Sequence, residues 1–259
     1  MSLNFEKWHG NGNDFIIVNS IENELKITKN KIIKISDRNT GIGCDQLIKI
    51  DLPTKSNQNF YIRFFNADGS EAGMCLNGIR CAAKYIWNNS FAPIGPLSIQ
   101  TKTKNILCEP KKKDTVQVRV SAPEKLNHKD LHNKLKNRAI SNFFISNIGN
   151  NHLCIEMKSI KKINLNEMYE NLETVIKDFD INLSIFKKNQ GSIDIRTYEN
   201  GVGETLSCGS AALCIASSFL KDKSLKIKSM GGELVFKKNK DVILMTGPTS
   251  FIYKGNISE

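Results

Sequence analysis

The chain has 259 residues, enough for one large domain or two of ordinary size, and at 40% hydrophobic residues it can bury a core. No apolar run approaches the roughly 20 residues of a bilayer span, and the N-terminus enters patterned sequence without a signal-peptide profile, so a cytoplasmic protein is expected. The net charge of +11 is spread along the chain, with one tight run at Lys111-Lys112-Lys113, which reads as a solvated surface and argues against nucleic acid as a partner.

In chain order, residues 14–19, 47–51 and 60–66 are rich in β-branched and aromatic residues and predict short strands. A helix is predicted over 75–88, where Ile79, Ala82, Ala83, Tyr85 and Ile86 recur at helical spacing. Strands are predicted at 96–102, 105–109 and 115–120, then at 142–146 and 152–157. A helix follows within 165–177, a strand at 192–199, a second apolar helix at 208–221, and strands at 224–228, 233–237 and 242–246.

Two segments share one frame. When Cys75 is aligned on Cys208, Glu71 falls on Glu204, Cys81 on Cys214, Phe65 on Tyr198 and Ala83 on Ala216. The expectation is an α/β (α+β) chain of two similar, pseudo-symmetric domains, with a small-molecule site in the cleft between them. Their expected extents are residues 1–119, completed by 247–259, and residues 120–246.

The seven cysteines are odd in number and scattered, with no CxxC pair and no zinc-finger spacing, so free thiols and no metal are expected. Cys44, Cys81, Cys108, Cys154 and Cys214 read as core residues, because free cysteine packs as a small hydrophobe. Cys75 and Cys208 differ, each preceding an apolar helix among Gly, Asn and Ser. A helix N-terminus carries partial positive charge, favours a thiolate and binds a carboxylate. Two such thiols can remove a proton from one face of an α-carbon and return one on the other, while the N–H donors stabilise the enolate-like charge.

The motifs Lys7-Trp8-His9-Gly10-Asn11-Gly12-Asn13-Asp14-Phe15, Gly41-Ile42-Gly43-Cys44-Asp45-Gln46, Asn66-Ala67-Asp68-Gly69-Ser70-Glu71, the two cysteine segments, Gly231-Gly232-Glu233-Leu234 and Met245-Thr246-Gly247-Pro248 follow in that order. Taken together, they make the chain resemble the diaminopimelate epimerase family over nearly its whole length. The resemblance implies two strand-rich, barrel-like domains, each around a central helix, a homodimer, since dimers are common in the family, and cofactor-independent interconversion of LL- and meso-diaminopimelate.

It also implies roles for particular residues. Cys75 and Cys208 match the catalytic pair, and His152 and Glu199 match residues that assist the thiols. Asn13, Gln46, Asn66, Asn77, Asn150, Asn182, Gly209 and Ser210 match substrate contacts. Leu76 stands where the family has glycine, Asn151 where it has proline, and Asn200 where it has the arginine that pairs with the distal carboxylate of the substrate. Arg196 lies nearby in sequence. Leu76 and Asn200 therefore admit a second reading, a two-thiol racemase of another amino acid such as histidine.

Overall fold

The computed structural model describes residues 3–22 and 25–257. The chain forms two compact units, Met1–Val120 with Thr246–Glu259, and Ser121–Met245.

The first unit begins with β1 (Leu3–Gly10) and β2 (Asn13–Asn19), followed by α1 (Lys29–Ser36), β3 (Gln46–Asp51), β4 (Phe60–Asn66) and the two-residue β5 (Glu71–Ala72). Then come α2 (Leu76–Asn88), β6 (Leu97–Gln100), β7 (Asn105–Pro110) and β8 (Thr115–Ser121). The second unit contains β9 (Glu124–Leu126), α3 (Lys129–Asn137), β10 (Phe143–Asn147), β11 (Asn151–Glu156), α4 (Leu165–Ile176) and β12 (Ile181–Asn189). It continues with β13 (Ser192–Glu199), β14 (Gly203–Thr205), α5 (Gly209–Phe219), β15 (Leu225–Ser229), β16 (Gly232–Asn239) and β17 (Val242–Pro248), whose residues from Thr246 on belong to the first unit. The final strand, β18 (Ser250–Ile257), pairs antiparallel with β1.

The duplication is topological. In the first unit β1–β2 is antiparallel, β2–β3 parallel, β3–β4 antiparallel, β4–β6 parallel and β6–β7 antiparallel. In the second, β10–β11 is antiparallel, β11–β12 parallel, β12–β13 antiparallel, β13–β15 parallel and β15–β16 antiparallel. Each parallel step β2–β3 and β11–β12 is bridged by a helix, α1 and α4, as a parallel pair requires a crossover connection.

α2 is buried almost all round, from Leu76 through Trp87 apart from Lys84, and packs against β1, β2, β3, β4 and β7. Burying a side chain such as Ile79 or Ile86 contributes about 1.5–3 kcal/mol, so this helix anchors its unit. α5 is its counterpart, with Ala211 through Ala216 buried against β11, β15 and β16. Gly78 lets α2 approach the sheet, since a Cβ there would sit 2.6 Å from the Phe64 ring and 3.1 Å from Ile48.

The elements not anticipated from the sequence are β1, the short strands β5, β9 and β14, and α1, α3 and β12. α1 is lysine-rich and buries only Ile32, Ile35 and Ser36, so its apolar stripe is two residues wide; Thr28 caps it by accepting the Lys31 N–H. α3 similarly buries only Leu131 and Leu135. In β12, Asn182 and Ser184 interrupt the apolar run, although Ile181 through Phe186 are all buried.

Candidate active site

In the first unit Cys75 is the N-cap of α2, with extended backbone (φ −135°, ψ 117°), and its sulfur accepts the Gly78 N–H at 3.4 Å. The thiol lies 3.5 Å from Asn13 Oδ1, which also accepts from Asn77 Nδ2 at 3.4 Å. Asn13 Nδ2 donates to Asp45 at 2.7 Å, so the amide's orientation is set from both ends. Gln46 and Asn66 face each other across β3 and β4, with Gln46 Nε2 donating to Asn66 Oδ1 at 2.8 Å. Leu76 is buried, and its carbonyl accepts from the Arg80 guanidinium.

Behind Asn13, Asp14 anchors a charged cluster. Lys7 and Arg38 reach it at 2.6 and 2.8 Å, and Arg38 also meets Asp45. Burial alone would raise the Asp14 carboxyl, but the hydrogen bonds and charges of Arg38 and Lys7 outweigh it and hold the group down to about 2.

In the second unit Cys208 is the N-cap of α5, with its sulfur 3.2 Å from Ser210 Oγ, and Gly209 begins the helix. His152 sits on β11 beside Asn182 of β12 and is wholly buried. Neither ring nitrogen has a partner among the described residues, and burial pushes the imidazole down to about 4, so it is neutral at pH 7. Glu199 accepts from the Thr205 hydroxyl at 2.7 Å. Asn150 is exposed.

Asn200 is held in place. Its Oδ1 accepts the Tyr169 hydroxyl at 2.8 Å, its Nδ2 donates to Asp180 at 2.6 Å, and its N–H donates to Asn182 Oδ1 at 2.8 Å. Tyr169 in turn stacks on Tyr198, with ring centroids 4.0 Å apart. Arg196, the neighbouring cation, is equally committed. It makes a two-pronged pair with Glu204 at 2.6 and 2.7 Å and donates to the carbonyls of Ile160 and Ile163.

Strand register extends the shared frame to the polar residues. Phe15 opposes Gln46 and Gln46 opposes Asn66, while His152 opposes Asn182 and Leu183 opposes Tyr198. Gln46 thus corresponds to Asn182, Asn66 to Glu199 and Asn13 to Asn150. The match includes an ion pair that the sequence reading missed. Arg63 bonds Glu71 through Nε and Nη2, as Arg196 bonds Glu204. Its signal was available, because both arginines stand eight residues before the aligned glutamates. Each pair ties a central strand, β4 or β13, to the short strand leading to a cysteine-capped helix.

The other five cysteines are buried and free. Burial pushes the thiols of Cys81 and Cys214 up to about 12, and those of Cys44, Cys108 and Cys154 upward as well. They remain protonated and unreactive. Among the described residues no group of three His, Cys, Asp or Glu side chains could hold a metal ion, and no helix is long and apolar enough to cross a membrane.

Comparison with known proteins agrees with this arrangement. The family model described as diaminopimelate epimerase matches residues 5–126. The diaminopimelate epimerase of Buchnera aphidicola subsp. Acyrthosiphon pisum (strain 5A) is 33% identical, covering 98% of this chain and 96% of its own. The chain belongs to the diaminopimelate epimerase family. It is therefore an isomerase. The Acinetobacter baylyi diaminopimelate epimerase is 30% identical over 99% of this chain and 98% of its own. Among solved structures, a Bacillus anthracis phenazine biosynthesis protein of the PhzF family superposes with a TM-score of 0.75 at 13% identity, covering all of both chains. A predicted epimerase from Pseudomonas aeruginosa gives 0.72 at 10% identity, covering 98% of this chain and 99% of its own. At such identities the likeness is one of fold.

Proposed function

We propose that this family member interconverts LL- and meso-diaminopimelate, with Cys75 and Cys208 as the acid–base pair and no cofactor. The observation that carries the reading is that both cysteines cap helix N-termini at the same point of a duplicated fold. One cysteine, as thiolate, takes the α-proton, and the carbanion-like charge is stabilised by helix N–H donors on the carboxylate. The other, as thiol, delivers a proton to the opposite face, so one proton leaves and one arrives with inversion at the carbon.

His152 serves as a neutral group beside Asn182, and Glu199 is the acidic neighbour of that site. Asn13, Gln46, Asn66, Asn77, Asn150, Asn182, Gly209 and Ser210 contact the substrate in this reading. Asn200 is engaged with Tyr169 and Asp180, and Arg196 with Glu204, so neither substitutes for the family's arginine. The distal end of the substrate is left to Asn66, Asn150 and Asn182. The two-unit division serves as two domains of one enzyme, acting in the cytoplasm as a homodimer, as the family resemblance implies.

The test is α-deuterium uptake in D₂O, under reducing conditions, with LL- and meso-diaminopimelate and L-histidine as substrates. Exchange with both diaminopimelates and none with histidine is expected; exchange with histidine alone would overturn the substrate assignment. Cys75→Ser and Cys208→Ser should each abolish epimerisation, and full activity in either variant would refute the two-base chemistry.

A further inference from the structure

Beside Cys75, two neutral amides are strung between a buried cation and a carboxylate. Arg80 of α2 is completely buried, and its Nη2 donates to Asn77 Oδ1 at 3.0 Å. Asn77 Nδ2 donates to Asn13 Oδ1 at 3.4 Å, and Asn13 Nδ2 donates to Asp45 Oδ2 at 2.7 Å. Asp45 is itself held. Its Oδ2 also accepts the Asp14 N–H at 3.1 Å, and its Oδ1 accepts Arg38 Nη2 at 2.8 Å.

The direction of this chain is forced at both ends. A guanidinium carries only donors, so the Asn77 atom facing Arg80 is its oxygen, and its NH₂ group faces Asn13. A carboxylate carries only acceptors, so the Asn13 atom facing Asp45 is its nitrogen. The Asp45 contact is the stronger of the two on Asn13, being short and charge-assisted. Turning the Asn13 amide over would set oxygen against oxygen there.

The Asn13 oxygen is thereby aimed at Cys75, whose sulfur lies 3.5 Å away. An oxygen acceptor is met by an S–H and repels a thiolate, so this contact favours the protonated form. The sulfur also accepts the Gly78 N–H at 3.4 Å. A thiol satisfies both contacts at once, donating to one and accepting from the other.

The other titratable groups on α2 and the elements packed against it are committed elsewhere or neutral. Lys7 pairs with Asp14, Lys49 with Asp51, Arg63 with Glu71, Lys84 with Asp114, and Glu109 with Lys111 and Arg119. Glu6 accepts from Trp8 Nε1, and His9 accepts the Gly12 N–H. Burial pushes the thiols of Cys81 and Cys108 and the phenols of Tyr61 and Tyr85 upward, so they stay protonated.

We infer that Asp45 is a positioning residue: by fixing the Asn13 amide it aims a carbonyl oxygen at the Cys75 sulfur, so that Cys75 keeps its proton in the ligand-free chain and is set to act first as an acid. The catalytic meaning of this arrangement rests on the two-thiol reading above; the arrangement itself does not.

The experiment needs no substrate. The protein is pulse-labelled with iodoacetamide from pH 5 to 10, and alkylation of the Cys75 peptide is followed by mass spectrometry. In the unmodified chain the Cys75 midpoint should lie at about 8 or above, near or beyond that of an ordinary thiol. Asp45 is exposed, so Asp45→Ala should fold. It frees the Asn13 amide to turn and should lower the Cys75 midpoint by at least about half a pH unit, roughly a threefold gain in thiolate at pH 7. Asn13→Ala, which removes the oxygen, should lower it as well. Adding Asp45→Ala to Asn13→Ala should then change nothing further, because Asp45 acts through Asn13.

A midpoint below about 7 in the unmodified chain overturns the inference. So does an Asp45→Ala variant whose midpoint stays put or rises. A drop of the same size in the Asn13→Ala background also overturns it, since Asp45 would then act by its charge alone. Should Asp45→Ala fail to fold, the unmodified chain and Asn13→Ala decide. The expected midpoints in a chain without α-exchange would sink the proposed reaction and leave this inference standing; exchange with an unresponsive midpoint would do the reverse.

Discussion

The buried ring of His152 makes the folded protein sensitive to acid in a calculable way. The imidazole titrates near 6.5 in the unfolded chain and is pushed down to about 4 by burial in the folded one. Above pH 7 both states hold it neutral, so it contributes nothing to the difference. As pH falls below about 6.5 the unfolded chain binds a proton that the folded chain refuses, and stability drops. The linkage relation gives a loss of about 0.8 kcal/mol at pH 6, about 2 kcal/mol at pH 5 and about 3 kcal/mol at pH 4.

The perturbation is His152→Leu, which keeps the volume roughly and removes two ring nitrogens that have no partner. No hydrogen bond is lost, so stability at pH 8 should stay within about 1 kcal/mol of the unmodified protein. The assay is reversible urea unfolding of both proteins between pH 8 and 4.5. The gap between them should move in favour of the variant by about 2 kcal/mol on going to pH 5. Parallel losses in the two proteins would refute the neutral, buried ring, and a variant destabilised by more than about 3 kcal/mol at pH 8 would show that the ring has a partner.

Asp14 governs a lower window. Its folded value of about 2 lies below the unfolded one, so its contribution is complete above about pH 4 and is lost between about 4 and 2; the stability gap to Asp14→Asn should shrink across that window and stay constant above it. Gly78→Ala forces a methyl to within 2.6 Å of Phe64 and should cost about 1–3 kcal/mol in urea unfolding, whereas no loss would show that α2 can shift freely. Arg196→Leu leaves Glu204 half-buried and unpaired and should cost about 3 kcal/mol; adding Glu204→Leu should recover part of the loss, and additive losses would show that the pair is not coupled.

The sequence by itself determined the duplication, the two cysteines at helix starts and the family. These are legible because apolar periodicity and capping are local: α2 and α5 differ by only a residue or two from the helices predicted at 75–88 and 208–221. Elements with thin apolar stripes were not legible. α1 and α3 bury only two apolar residues each, and β12 carries Asn182 and Ser184 within its core run.

Tertiary structure decided what the charged residues do. From sequence Arg196 stood as a nearby cation; the hairpin of β13 and β14 folds it onto Glu204, and two carbonyls complete its bonds. Asn200 read as a bare departure from the family, but Tyr169 and Asp180, which reach it from well back in the chain, hold its amide. Arg80 has no partner legible in the sequence; the burial of α2 encloses it with Asn11 and Asn77. The physical reason is common to all three. Periodicity reports which face of an element is buried, whereas the partner of a buried charge is set by which distant segments the fold brings against it.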